Sequence, residues 1–372
     1  MTNYLIQRFV GLSLVLHSLL FLPLANASEI KGLYEAKVPV TNQTRDERFD
    51  VYARALAQVV VKLTGDRTVP DRPELAGLMR QARTLVQQFH YEELPPGSEA
   101  LIEEGYKRLL VVRFDGQAIT HALIEKNVPL WGSTRPDVLL WLAIEDRETR
   151  YVLAVNASAE LEHYLDEQTY RRGLPLMLPL VDLEDRMKLD FADVWGDFRP
   201  NLLQASQRYG VDAILVGRLI RTAEGKWQTR WSLHYSSGAS PPSEYWQAEV
   251  NTQQEALAAG VDGAADRIAQ RYAQLYSTGS VDTVALTVKG VKDLAGYARS
   301  MKYLESLDIV TAVDVIKVQA DEVLFKVAIR GDSHGLEQAI ELGSTFQQTT
   351  DEIVPSNDTE TSTKGFVYQL LP

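Results

Sequence analysis

The stretch from Tyr209 to Ile220 constrains the fold of this chain more than any other part of the sequence. A segment with apolar residues at helical spacing ends at Gly210, and a run of β-branched and other apolar residues follows at once. Glycine commonly ends helices, and a strand that is apolar on both faces is typical of the centre of a sheet. This order predicts a helix followed by a central strand, and therefore a domain of the α/β class.

The first residues have the features of an export signal. Arg8 precedes an apolar run over residues 9–24, and the sequence Ala-Asn-Ala at 25–27 fits the small-x-small rule for signal peptidase. We therefore expect a signal peptide over residues 1–27 and a periplasmic protein that is soluble after cleavage. The alternative is a retained membrane anchor, but the apolar run is short for spanning a bilayer.

Composition narrows the class of protein further. The 372 residues are 45% hydrophobic and 24% charged, which is typical of two or three cored domains and not of a disordered chain. The absence of cysteine excludes disulfides, thiolate metal sites and a cysteine nucleophile. A net charge of −12 argues against a nucleic-acid partner.

Residues 28–134 are predicted to form a small α+β domain. A strand over 30–40, closed by Pro39, is expected at a sheet edge. The segment from Thr44 to Glu47 has the spacing of a capping box, and apolar residues then recur at threes and fours until Gly65. Three further elements are expected around this helix: strands over 82–91 and 107–114, and a helix over 117–126.

Residues 135–280 are predicted to form a mixed-sheet α/β domain around the organising strand. The segment 138–144 is apolar on both faces, which predicts a second interior strand. Over 227–235 aromatic and polar residues alternate, so one face of this strand is predicted to lie in the core. Further elements are expected as follows: a helix from Ser158 to Gly173, a strand over 174–180, helices from Asp182 and from about Arg199, and a long helix over 253–276.

Residues 281–372 follow the order β-α-β-β-α-β, which is that of a ferredoxin-like domain. Residues 349–364 are rich in Thr, Ser, Asp and Asn and are expected to form a flexible insertion before the last strand. The chain as a whole is thus predicted to combine α/β and α+β domains. The predicted elements of this third domain are strands over 281–288, 309–318, 322–329 and 366–370, and helices over 292–307 and 332–342.

Several motifs resemble those of the proteobacterial family called domain of unknown function 2066. They are Gly32 to Ala36, Trp131-Gly132, Arg135-Pro136, Asp182 to Asp185, Asp193 to Gly196 and Tyr209 to Leu219. This resemblance implies no particular activity.

The segment 211–217 and the helix before it are also similar, more distantly, to α/β domains of periplasmic envelope proteins. Those proteins include the Tol translocation protein, the curli secretion lipoprotein and the lipoprotein activators of penicillin-binding proteins. Their domains bind proteins, and the resemblance implies the same role here. This chain has neither the propeller of the first nor the lipid-bearing cysteine of the others.

The densest group of polar side chains is an acidic cluster, which consists of Asp182, Glu184, Asp185, Asp190 and Asp193. Paired carboxylates can perform acid–base catalysis or hold a divalent cation. Alternatively, Asp182 caps a helix whose acidic first turn is stabilised by the helix dipole. Calcium loops carry glycines and alternating oxygen ligands that are missing here, which favours the capping alternative.

Other catalytic signatures are missing from the sequence. There is no Gly-x-Ser-x-Gly elbow and no phosphate-binding loop, so we expect no cofactor. Gly217, within the organising strand, is expected to let a helix approach closely. Five histidines are too far apart in sequence for metal-ligand spacing: His90, His121, His163, His234 and His334.

Aromatic residues raise the possibility of stacking on the sugars of peptidoglycan. Trp227, Trp231 and Tyr235 form a stripe on one face of a strand, which core packing explains best. Trp131 and Trp195 each precede a glycine in a predicted loop, and are better candidates for an exposed or interdomain contact.

The leading hypothesis from the sequence is a non-enzymatic periplasmic scaffold or accessory factor that binds another envelope protein. One alternative is a carboxylate-dependent hydrolase or divalent-cation site at the acidic cluster, and another is a module that binds peptidoglycan or other glycans. The candidate binding surface consists of Trp131, Arg135, Asp182, Glu184, Asp185, Asp193 and Trp195.

Overall fold

The computed structural model of the chain describes residues 28–30, 32–95, 98–236, 243–276, 281–343, 345–349 and 365–371. The predicted signal peptide over 1–27 and all but the first residue of the predicted insertion at 349–364 lie outside these ranges. Within them the fold is mixed α/β, which confirms the predicted class. No helix among these residues has the length and apolar character needed to cross a bilayer.

The N-terminal sheet packs on one long helix. Its strands pair antiparallel in the order β2-β4-β3, so β2 lies at an edge, as Pro39 predicts. Helix α1 packs on β2 and β4. The elements of this region are β1 Ser28–Glu29, β2 Glu35–Val40, α1 Arg45–Thr64, α2 Ala76–Arg80, β3 Val86–Glu93, α3 Glu99–Glu103, β4 Arg108–Phe114 and α4 Gly116–Glu125.

Local signals set both ends of α1. Thr44 Oγ1 accepts the Glu47 N–H at 3.4 Å, as in a capping box. The reciprocal bond is absent, because the Glu47 carboxylate accepts from the N–H groups of Thr41 and Asn42 instead. Gly65 ends the helix with φ of 69°, a left-handed conformation that favours glycine. The strand predicted to begin at residue 82 begins at Val86, because residues 82–85 form a 3₁₀ turn.

The central sheet has the order β11-β10-β9-β6-β7, with the short β8 paired to β6. The organising strand is β9, which lies parallel to β6 and antiparallel to β10, as predicted for an interior strand. The strand predicted over 174–180 is only two residues long, because Pro175 and Pro179 flank it. The elements of this region are β5 Thr134–Arg135, β6 Val138–Asp146, β7 Thr149–Val152, α5 Ala159–Arg172, β8 Leu176–Met177, α6 Leu183–Lys188, α7 Phe191–Gly196, α8 Arg199–Ser206, β9 Ala213–Arg221, β10 Trp227–Tyr235, β11 Glu244–Val250 and α9 Gln253–Tyr272.

Helices cover the two faces of the central sheet unequally. On one face α5 and α9 bury side chains of β6, β9 and β10 in a single core. On the other face α7 and α8 bury side chains of β6 and β9, and Val152 of β7 packs against the same cluster. No side chain of β10 or β11 belongs to this second cluster, although His234 of β10 is buried where Asp197 follows the end of α7.

Gly217 makes room for an aromatic ring and not for a helix backbone. It lies directly opposite Trp231 in the antiparallel pair of β9 and β10. A Cβ at Gly217 would collide with the Trp231 ring and with Leu142, and a Cβ at Gly260 of α9 would collide with the same ring. The prediction that Gly217 lets a helix approach closely is thus wrong. The group that approaches Gly217 is the Trp231 indole, which fills the space between β9 and α9.

The C-terminal sheet has the order β13-β14-β12-β16-β15. Strand β14 lies between the parallel strands β12 and β13, which is the split βαβ unit predicted from the sequence. The end of the domain departs from a ferredoxin-like sheet, because β16 inserts between β12 and β15 and runs parallel to β12. The elements are β12 Val281–Lys289, α10 Leu294–Ser306, β13 Val310–Val318, β14 Glu322–Arg330, α11 Ser333–Glu341, β15 Phe346–Gln348 and β16 Gly365–Leu370. Buried side chains of the N-terminal and C-terminal sheets form one continuous cluster, so these regions share a core.

Candidate functional site

Trp131 and Arg135, two residues of the predicted binding surface, are buried between the N-terminal and central sheets, with 1% and 0% exposure. The Arg135 guanidinium lies 3.8 Å from the centre of the Trp131 ring. It donates to five backbone carbonyl groups, those of Lys62, Trp131, Gly132, Arg172 and Gly173.

This arrangement places a cation against the ends of two helices. The carbonyl groups of Lys62 and Arg172 belong to the last turns of α1 and α5, where the helix dipole is negative. Burial lowers the pKa of Arg135 to about 9, so the side chain remains charged at neutral pH. Arg135 therefore joins two helices, and neither it nor Trp131 is accessible to a partner.

A group of four charged side chains reinforces the same junction. Arg172 donates to Asp262 and Asp266 of α9, and its side chain is 2% exposed. Arg67 of the N-terminal region binds the same two carboxylates at 2.9 and 3.0 Å. These contacts attach the N-terminal region to α5 and α9, so the role of the four side chains is structural.

The acidic cluster is divided between two capping arrangements. Asp182 caps α6, since its Oδ1 accepts the Asp185 N–H at 3.1 Å. Arg208 lies 2.7 Å from Asp182 and 3.2 Å from Asp185, and hydrogen bonds from it lower the pKa of Asp182 to about 2. Glu184 is 3.6 Å from the same guanidinium. Asp185 is 1% exposed and also accepts from the hydroxyl of Tyr209.

Asp190 and Asp193 belong to a separate capping box at the start of α7. Each accepts the backbone N–H of the other at 2.9 Å, and Asn201 donates to Asp193 at 2.7 Å. Within the described ranges no three His, Asp or Glu side chains are arranged to hold a metal ion. The geometry therefore matches the capping alternative, and Asp182 and Asp185 share Arg208 as a partner.

A groove lies on the open face of the central sheet. Its volume is about 620 Å³, and a second hollow of about 440 Å³ adjoins it and shares Arg218, Arg230 and Gln247. Trp195, the one residue of the predicted surface in this groove, lies at the end of α7 and is half-buried. The residues that define the groove are Trp195, Asp197, Arg218, Arg230, Tyr245 and Gln247.

Two arginines lie at the centre of the groove. Arg218 of β9 and Arg230 of β10 are directly opposite each other in the antiparallel register. Arg218 is half-buried and donates to the Trp195 carbonyl group at 3.2 Å, and its guanidinium is 5.1 Å from the centre of the Trp195 ring. Burial, and next the charge of Arg230, lower the pKa of Arg218. An anion bound between the two guanidinium groups would remove this repulsion.

Neither arginine forms an ion pair with a carboxylate of the residues that the structure describes. Asp197, the one acidic residue among those that define the groove, instead contacts His234 Nε2 at 2.6 Å. Glu249 of the adjoining hollow contacts Lys226 and Gln228. Asp197 still acts on Arg218 through its charge, which opposes the lowering of the Arg218 pKa. Neither guanidinium group is thus held in an ion pair that a ligand would have to break.

His234 links the end of α7 to β10 and β11. Its Nδ1 lies 2.7 Å from Ser243 Oγ, and its Nε2 lies near both Asp197 and Ser232. In a catalytic Ser-His-Asp set the serine and the carboxylate contact opposite nitrogens, which excludes Ser232 as the nucleophile. Ser243 contacts the other nitrogen but is not among the residues that line the groove, and His234 is 1% exposed. The network therefore fixes the wall that carries Trp195.

Sequence reasoning missed this network and the arginine pair. The stripe of Trp227, Trp231 and Tyr235 lies in the core, as predicted, so the alternation over β10 already indicates that Arg230 lies on the opposite face. Nothing local in the sequence identifies Arg218 as its neighbour, because strand register depends on pairing across the hairpin.

Residues 27–132 match the model of a domain of unknown function, DUF8605. This is a different family from domain of unknown function 2066, and the match does not extend to the motifs that begin at Asp182, Asp193 and Tyr209. No curated protein matches the chain. The matched segment contains Trp131 but none of the residues that define the groove.

Proposed function

We propose that this protein is a non-enzymatic module of the cell envelope that binds an acidic segment of a protein partner in the groove. The observation that carries the proposal is the pair of guanidinium groups at Arg218 and Arg230, which lie opposite each other and form no ion pair with a carboxylate of the described residues. A carboxylate suits this site because guanidinium groups bind carboxylates through two parallel hydrogen bonds.

The shape of the site favours a chain segment over a small ion. The groove and the adjoining hollow follow β9, β10 and β11 across the open face, with Trp195 on one side and the exposed ring of Tyr245 on the other. Aromatic side chains at such positions contribute large contact areas to protein interfaces. The net charge of the chain is −12, so the arginine pair is a local basic site on an acidic protein.

Two features of the sequence support the proposed envelope location. The predicted leader over residues 1–27 supports export, and the distant likeness of the central segment to envelope α/β domains supports a protein partner. The proposal includes periplasmic location and solubility after cleavage of the leader.

Affinity purification from envelope extracts tests this function. The unmodified chain is expected to retain a protein partner that the double variant Arg218→Gln/Arg230→Gln loses. The matched control is Arg80→Gln/Arg150→Gln, which removes two exposed arginines outside the groove and is expected to retain the partner. Recovery of nothing above background, or equal recovery by both double variants, would refute the proposal. Recovery of peptidoglycan fragments in place of a protein would favour the glycan-binding alternative.

A further inference from the structure

Strand β11 is the one long, unbroken edge strand in the part of the chain that the structure describes. It pairs with β10 over seven consecutive residues without a register shift, and it contains no proline. The other edges are modified or short: β2 contains Pro39, β3 and β13 have register shifts, β7 and β15 have four and three residues, and β1 and β5 have two each. Folded proteins generally protect edge strands in such ways, because an unprotected edge pairs with another chain.

The register of the hairpin shows which backbone groups of β11 point away from the sheet. The Thr222 N–H donates to the carbonyl group of Lys226, the residue just before β10, so the backbone of Lys226 points to β9. Backbone groups alternate in direction along a strand, and therefore every second residue after Lys226 also points to β9. The intervening residues of β10 are paired to positions 244, 246, 248 and 250 of β11. The backbone groups of Tyr245, Gln247 and Glu249 therefore point outward.

We propose that β11 pairs with β11 of a second copy of this chain, antiparallel and centred on Gln247. The outward-facing residues are symmetric about this position, so Gln247 meets the partner's Gln247 and Tyr245 meets the partner's Glu249. On the other face Trp246 meets the partner's Ala248, and Glu244 meets the partner's Val250. No like charges lie directly opposite each other in this register, and every outward backbone donor and acceptor is paired.

This dimer has a consequence for the groove. The two-fold axis of an antiparallel strand pair is perpendicular to the sheet, so the open faces of both copies lie on the same side. The two copies then form one continuous sheet of ten main strands, five from each copy. Both arginine pairs lie on the same face of this sheet. The dimer is formed by the outward backbone groups of β11, whereas the groove is lined by side chains of its open face, with Tyr245 and Gln247 among them. Pairing of the two edges needs no ligand in the groove.

The mass of the purified chain in solution, measured by light scattering, tests the dimer. At about 50 μM we expect twice the mass of one chain, since interfaces of limited area typically dissociate in the micromolar range. Gln247→Pro removes an outward N–H without removing a bond to β10, and is expected to weaken the dimer at least about tenfold. The control Gln247→Ala retains the N–H and is expected to remain dimeric.

A second measurement does not depend on how proline is tolerated. The chain contains no cysteine, so Gln247→Cys introduces the sole thiol, and oxidation is expected to give a covalent dimer. Gln228→Cys lies on the same face but on β10, and is expected to stay monomeric under the same oxidation. A monomer at 50 μM would overturn the proposal. So would a dimer that Gln247→Pro leaves intact and Gln247→Cys does not crosslink, because that dimer would use another surface.

Discussion

Arg218 and Arg230 lie directly opposite each other on neighbouring antiparallel strands, on the sheet face that the short helices leave open. Two other arginines of the fold are buried and donate to several acceptors. Arg172 binds two aspartates and a carbonyl group, and Arg135 binds five carbonyl groups. Arg218 and Arg230, in contrast, form no ion pair with a carboxylate among the described residues, and this difference supports the proposal that the groove binds an anion.

Removing one charge of the pair is expected to stabilise the unliganded protein. Like charges directly opposite in a sheet are destabilising, so Arg230→Gln should raise the free energy of unfolding by about 0.2–1 kcal/mol. Urea denaturation measures this change. Arg150→Gln, at an exposed arginine of β7 that contacts Glu145, should lie within about 0.5 kcal/mol of the unmodified chain. A clear loss of stability in Arg230→Gln would mean that the charge has a structural partner.

Gly217 and Gly260 are expected to tolerate no side chain. A methyl group at Gly217 would collide with Trp231 and Leu142, so Gly217→Ala should lower the free energy of unfolding by about 1–3 kcal/mol. The control is Gly77→Ala in α2, where a Cβ would contact nothing within 4 Å and alanine is the better helix former. Gly77→Ala should be neutral or slightly stabilising. Equal effects at the two sites would contradict the packing described for Trp231.

Arg135 is expected to be the most sensitive residue at the junction of the N-terminal and central regions. Arg135→Met leaves several buried carbonyl groups without a donor, and should lower the free energy of unfolding by about 3 kcal/mol or more. Arg113→Met, at an exposed arginine of β4, should have little effect. Chemical denaturation followed by circular dichroism measures both. If Arg135→Met were as stable as Arg113→Met, Arg135 would not be the link between the two helix ends.

The stability of the protein is expected to depend on pH through Asp212. Burial, and next the nearby Asp137 carboxylate, raise the pKa of Asp212 to about 6 from an ordinary value of 3.8. Between these values the folded chain holds a proton that the unfolded chain releases, so stability falls as pH rises through this window. At pH 7 Asp212→Asn should therefore be more stable by on the order of 2 kcal/mol, and the gain should vanish below pH 4.

The control for this measurement is Asp314→Asn, at an exposed position of β13. It should show no comparable gain at pH 7. A gain for Asp212→Asn that persisted at pH 4 would point to a hydrogen-bonding effect in place of the expected titration.

The sequence was sufficient for elements whose signals are local. The organising strand follows from Gly210 and the apolar run after it, and the two faces of β10 follow from its alternation. Trp131 is predicted to lie on a surface because it precedes a glycine in a loop, and Arg135 because it belongs to one of the family-like motifs. Their burial depends on carbonyl groups at two helix ends that are distant in sequence, which no local pattern reveals. The arginine pair escaped prediction for the same reason, since register is a property of two strands.

The most direct test of the groove uses the six tryptophans of the chain, whose indole N–H signals are resolved in a simple nitrogen–proton NMR spectrum. Trp195→Phe assigns the signal of Trp195. Titration with a glutamate-rich peptide is expected to shift the Trp195 signal in the unmodified chain and in Arg80→Gln/Arg150→Gln, but not in Arg218→Gln/Arg230→Gln. An unchanged Trp195 signal, or a shift that survives loss of both groove arginines, would contradict the assignment of this groove as the binding site.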